Sequence, residues 1–127
     1  MITFIVKANV KSGQTETLKR ALIETAAFIS ANEPDFANYS YFNDDESQVT
    51  FINLVTDSAA LGKHFQLSPQ NTAMPTVMGA LEVTSTEIYG DLSPEVEAIV
   101  QGMKPLRRTA QSGTFDRQIA VKEFAPA

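Results

Sequence analysis

The sequence predicts an α+β domain organised around a single β-α-β-β-α-β unit. Three observations predict it. Residues 2–10, 36–42, 48–55 and 82–90 read as strands, the first with strict alternation of apolar side chains. Two intervening segments, opening after Gly13 and at Asp57, carry apolar residues at the three-and-four spacing of a helix. The middle two strands are joined only by the turn-forming "NDDES", which makes them an antiparallel hairpin. That order is the split βαβ arrangement of the ferredoxin-like fold, an antiparallel sheet with its helices on one face.

Each element has a local reason. In "ITFIVKANV", Ile2, Phe4, Val6, Ala8 and Val10 share one strand face. Gly13, with Glu16 three residues on, marks a helix start; Leu18, Ala21, Leu22, Ala26 and Ile29 form its buried stripe, and Glu33-Pro34 ends it. "FANYSYF" and "QVTFINLV" are the hairpin strands. In "TDSAALGKHFQLSPQ", Asp57 and Ser58 offer side-chain oxygens to first-turn amides, and Leu61, His64 and Phe65 fall on one helical face. A second helical piece follows, with Met74, Val77, Met78 and Leu81 on one side and Pro75 bending or interrupting it. "EVTSTEIYG" completes the unit, so residues 1–90 are expected to form one domain and 91–127 a C-terminal extension. In the extension, "LSPEVEAIVQGM" is a helix, with Ser93 as cap, Pro94 in first position, Glu95 and Glu97 at the positive end and Gly102 past the last turn. "KPLRRTAQSG" reads as a solvated linker. "TFDRQIAVKEF" (114–124) alternates through Phe115, Ile119 and Val121 as an extra strand, expected to join a sheet edge of its own subunit or of a partner.

The sheet is apolar on both sides. Val49, Phe51 and Val55 point one way while Ile52 and Leu54 point the other, and Ile5 opposes Phe4 and Val6. Helices cover one face, so a second subunit is expected on the other, giving a homodimer.

Composition excludes several classes of function. Without cysteine there is no disulfide framework, and with a single histidine there is no transition-metal cluster; no metal is expected. No apolar run can span a bilayer, and the alternating N-terminal segment reads as a strand and not a signal peptide, so the expected location is cytoplasmic with no membrane partner. A net charge of −5 opposes nucleic-acid binding. An RNA-recognition module shares the strand–helix order, but "QVTFINLV" offers only Phe51 and no basic residue for base stacking. "KSGQT" and "QSGT" lack a phosphate-loop pattern, no serine lies in a nucleophile elbow, and the acidic "DDE" at the hairpin tip reads as solvated.

The strand–helix order, "VKANVKSGQTETLKRAL", "NYSYFNDDESQVTFINLV" and above all "TDSAALGKHFQLS" resemble the antibiotic biosynthesis monooxygenase domain over residues 1 to about 90. The resemblance implies a dimeric α/β barrel, two ferredoxin-like sheets packed face to face. It also implies oxygenation of a phenol or quinol with no cofactor, the deprotonated substrate passing an electron to dioxygen directly. Val55 stands where many members carry tryptophan. Val6 stands where the haem-degrading branch has its asparagine, which sets haem degradation aside.

Such chemistry needs a base near neutral pH, hydrogen-bond donors and a dry pocket. The resemblance offers His64 as the catalytic base, and histidine suits the role because its ordinary pKa lies near operating pH. Packing alone is the alternative for this ring. Asn9, Asn38, Asn53, Tyr39 and Tyr89 are candidate hydrogen-bonding residues for a small aromatic substrate, and Phe65 a candidate wall, whereas Met74 and Met78 read as core. Two functions stay open: a cofactor-independent monooxygenase, and a non-catalytic ligand-binding or structural dimer of the same fold.

Overall fold

The structure, a computed structural model, describes residues 1–117, 124 and 125. The chain runs β1 (Ile2–Val10), α1 (Thr15–Asn32), β2 (Phe36–Phe42), β3 (Gln48–Val55), α2 (Ser58–Leu67), α3 (Met74–Gly79), β4 (Leu81–Tyr89), α4 (Pro94–Val100) and β5 (Leu106–Arg108). The strands form one sheet in the order β2-β3-β1-β4-β5. Its first four are antiparallel, as the β-α-β-β-α-β order requires, and β5 lies parallel to β4.

Strand pleating sorts the side chains. Phe4 and Ala8 of β1, Val49, Phe51, Asn53 and Val55 of β3, and Ile88 of β4 are buried under the helices. Thr3, Ile5, Ile52, Leu54, Tyr39 and Tyr41 occupy the opposite face, where the Tyr39 and Tyr41 rings stack at 6.4 Å and both remain exposed. A bulge breaks the β1–β4 register at Lys7/Ala8, and the hydroxyl of Thr84 in β4 donates to the Lys7 carbonyl at 3.1 Å. Its effect is to put Val83 and Thr86, three residues apart, on the same side of the sheet.

The helices divide the core into two clusters. One joins Leu18 and Ala21 of α1 and Val77 of α3 to Ala8, Val49 and Phe51. The other joins Leu61 of α2 and Val96 and Val100 of α4 to Ile2, Phe4, Val55 and Ile88. Asp57 caps α2 as its sequence predicts, accepting from the Ala60 N–H at 2.8 Å. Pro75 opens α3 instead of bending a longer helix, because a separate 3-10 turn at Ser68–Gln70 ends the preceding segment.

The extension packs into this core. Ser93 caps α4 from its side chain, and its own N–H donates to the Ser58 hydroxyl at 2.9 Å, tying α4 to the start of α2. One expectation for the extension needs correction, and another lies largely outside the described residues. The basic stretch read as a linker contains β5. There the Arg107 guanidinium donates to the carbonyls of Ile88 and Gly90 at 3.0 and 3.2 Å and to the Glu97 carboxylate at 2.5 Å, contacts that alternation analysis does not register. Of the strand expected at 114–124, residues 118–123 lie outside the described residues, and 114–117 carry no strand.

The turn between β4 and the extension depends on Gly90, whose φ of +120° is glycine territory; a Cβ there would lie 3.0 Å from Ile2 Cγ1 and 3.1 Å from the Met1 carbonyl. Gly90→Ala should therefore destabilise the fold by about 1–3 kcal/mol. Urea unfolding measures it, and an unchanged midpoint would contradict this role.

Candidate functional site

Between the two core clusters, the sheet and helices border a cavity of about 420 Å³ that opens to solvent. That is the size of a small-molecule site. Its floor is Phe4, Val6, Phe51 and Leu81 from the sheet, with Leu22 and Ile29 of α1, Phe65 of α2 and Val77 of α3 as walls. Met78, Val83 and Met103, all substantially exposed, line it as well, so the extension contributes to its wall through Met103. Polar groups are few: Thr25, Asn38, Asn53, His64, Ser68 and Thr86.

His64 sits in the last turn of α2 with its side chain 12% exposed, and its Nδ1 lies 3.0 Å from Oε1 of Glu33. The Glu33 side chain is only 3% exposed. Its position follows from local chain logic. Pro34 disfavours helical conformation in the residue before it, so α1 stops with Glu33 as its C-cap, the N–H still bonded to the Ile29 carbonyl. Thr25, Ile29 and Glu33 succeed one another at four-residue steps, so the carboxylate continues the buried stripe of α1. A carboxylate only accepts, so the Nδ1 that faces Glu33 carries a hydrogen, and in the neutral ring Nε2 presents a lone pair. Nε2 has no hydrogen-bond partner among the described residues. Phe36 stacks on the imidazole at 4.2 Å and Phe65 meets it edge-on at 5.5 Å, so the ring is held on its face and at its edge.

Two further groups are fixed from behind. Asn53 donates to the Phe4 carbonyl at 3.1 Å and accepts from Asn38 at 2.6 Å. Thr25 accepts from the buried Asn71 at 3.1 Å, which leaves its hydroxyl hydrogen available as a donor. The arrangement can take a proton at Nε2 and supply hydrogen bonds to a ligand whose remaining surface is apolar.

Of the residues singled out from sequence, the structure brings His64, Phe65, Asn38 and Asn53 together around the cavity. Asn9, Tyr39 and Tyr89 lie on the opposite face of the sheet, because the pleat sets them with Ile5 and Ile52. Asn9 accepts there from Gln48 at 3.4 Å, and the Tyr89 hydroxyl donates to Glu87 at 2.9 Å. That bond, with burial, raises the Tyr89 phenol above its ordinary pKa. Met74 and Met78, read as core, line the cavity. Glu33, Phe36, Thr25, Thr86 and Met103 are the residues sequence reasoning missed. The available signal for Glu33 was a carboxylate four residues beyond Ile29 on an otherwise apolar stripe.

No protein-family model matches the sequence, and no curated protein matches it. Solved structures do. MupZ from Pseudomonas fluorescens superposes with a TM-score of 0.73 at 15% identity, covering 91% of this chain and 88% of its own. A candidate antibiotic biosynthesis monooxygenase from Nitrosomonas europaea gives 0.61 at 24% identity, over 73% of this chain and all (100%) of its own. SnoaB, a cofactor-independent oxygenase from Streptomyces nogalater, gives 0.60 at 17% identity, over 72% and 93%. At these identities the likeness is one of fold.

Proposed function

We propose that this chain, which has the fold of the antibiotic biosynthesis monooxygenases, oxygenates a small phenolic, quinol or polyketide-like aromatic substrate with dioxygen and without a bound cofactor. The observation that carries this reading is the buried Glu33–His64 pair on the wall of an apolar cavity. A phenol seated there gives its proton to His64 Nε2, and the Glu33 carboxylate stabilises the imidazolium that forms, as a buried aspartate does for a catalytic histidine in hydrolases. The cavity presents few polar groups to the resulting anion, so it stays electron-rich. One electron passes from it to dioxygen, and the radical pair combines into a carbon–oxygen bond. The terminal peroxide oxygen takes back the proton from His64. Loss of water, which takes the hydrogen of that ring C–H carbon, then leaves a carbonyl there, one oxygen atom of dioxygen remaining in the product and the other leaving as water.

A homodimer is part of the same reading. Among the described residues nothing covers the sheet face bearing Ile5, Ile52, Leu54, Tyr39 and Tyr41, and a second copy of that face would bury roughly 800 Å² per subunit. The non-catalytic reading, a ligand-binding dimer of the same fold, predicts the same assembly without turnover.

Aerobic incubation with a panel of quinols and anthrones, followed by an oxygen electrode, tests the chemistry. His64→Ala should slow oxygen uptake by about a hundredfold or more. Glu33→Gln should slow it as well, because an amide keeps the position but not the charge. Wild-type rates in His64→Ala, or no consumption of any panel member by the wild type, would sink the oxygenase reading. Sedimentation equilibrium tests the assembly: a dimer at micromolar concentration is expected, and a monomer would defeat it.

A further inference from the structure

Thr25 of α1 borders the cavity while only 7% exposed, and its hydroxyl has one role that its partner dictates. The Ala73 backbone N–H only donates, so the Asn71 atom 3.1 Å from it is Oδ1. The Asn71 atom that meets Thr25 Oγ1, also at 3.1 Å, is therefore the donor Nδ2. Thr25 accepts that bond, and its own hydrogen is left to give.

A threonine inside a helix commonly gives this hydrogen to the carbonyl one turn back. Thr25 does not: Oγ1 makes no bond to the Ala21 carbonyl, or to any other acceptor among the described residues. The amide behind it is fixed. Asn71 ends the 3-10 turn at Ser68–Gln70, where its N–H donates to the Ser68 carbonyl at 3.0 Å and its carbonyl accepts from the Met74 N–H at 3.1 Å. With its side chain bonded at both ends, the amide cannot turn over. A buried donor without an acceptor is destabilising, and an oxygen brought into the cavity removes that penalty. A hydroxyl that already accepts a bond is also polarised into a stronger donor.

We propose that Thr25 is a ligand-binding residue whose hydroxyl donates to an oxygen acceptor, such as a carbonyl, on the molecule the cavity holds. Asn71 is a positioning residue. It directs the Thr25 hydrogen to the ligand and does not line the cavity itself. The contact concerns binding alone and holds for the catalytic and the non-catalytic reading alike.

The probe is acetophenone isotopically labelled at its carbonyl. Its shape-matched control is α-methylstyrene, which has a methylene in place of the oxygen. Infrared spectra read the carbonyl stretch, and calorimetry reads the two affinities. In the wild type the bound ketone should absorb at lower frequency than in a hydrocarbon solvent, as a hydrogen-bonded carbonyl does. Thr25→Val keeps the shape and removes the hydroxyl. There the ketone-to-styrene affinity ratio should fall about tenfold, the scale of one hydrogen bond, and the stretch should return to its hydrocarbon value. Thr25→Ser should keep both signals. Asn71→Asp still accepts from the Ala73 N–H but also accepts from Thr25, so the hydroxyl hydrogen turns away from the cavity and both signals should be lost. An unshifted carbonyl in the wild type, a shift that survives Thr25→Val, or a ketone that the wild type does not bind would overturn the proposal. A shift that survives Asn71→Asp would overturn the role given to Asn71. If Thr25→Val does not fold, the wild-type and Asn71→Asp spectra decide.

Discussion

A carboxylate almost sealed from water is the constraint around which this chain is arranged. The Glu33 side chain is 3% exposed, and its one side-chain partner among the described residues is His64. Removing one member of such a buried pair typically costs about 3–5 kcal/mol, because the other is left uncompensated. The pair therefore fixes the end of α1 against the end of α2. Pro34 stops α1 at the residue that must face the ring, and the Asp57 cap sets where α2 begins, hence which of its residues reaches the carboxylate. Phe36, the first residue of β2, closes over the imidazole.

The cavity follows from the same geometry. Two clusters form because α1 with α3 and α2 with α4 pack on different parts of the sheet. Side chains from both clusters reach the space between them without filling it, and Val6 touches each. The β4 bulge turns Thr86 and Val83 toward that space, and the 3-10 turn that follows α4 carries Met103 to it. The extension is thus both part of the second cluster and part of the cavity wall. Gly62 of α2 permits that approach: a Cβ there would lie 3.1 Å from Val96 Cγ2 of α4.

Most of the fold was legible because it is written in local periods. The alternation in β1, the Asp57 and Ser93 caps and the turn between β2 and β3 act within a few residues of chain, and all appear where the sequence puts them. The two apolar faces of β3 were equally readable. What sequence could not supply was long-range pairing. Glu33 and His64 are 31 positions apart, and nothing local to either names the other. The pleat places Tyr39 and Asn38 on opposite faces of the sheet, yet both are polar residues on one strand, and composition alone treats them alike. β5 is only three residues long and is held by Arg107, so no periodicity marks it.

The central claim is that His64, held by Glu33, receives a proton from a phenol bound in the cavity. The most direct measurement titrates a naphthol under argon while recording its absorbance and the imidazole nitrogen resonances of isotopically labelled His64. The account predicts that the free ring shows hydrogen on Nδ1 alone. As the ligand binds, its spectrum should become that of the naphtholate, and Nε2 should gain a hydrogen in step. A naphthol that binds in its neutral form, or that ionises equally in His64→Ala, would contradict it.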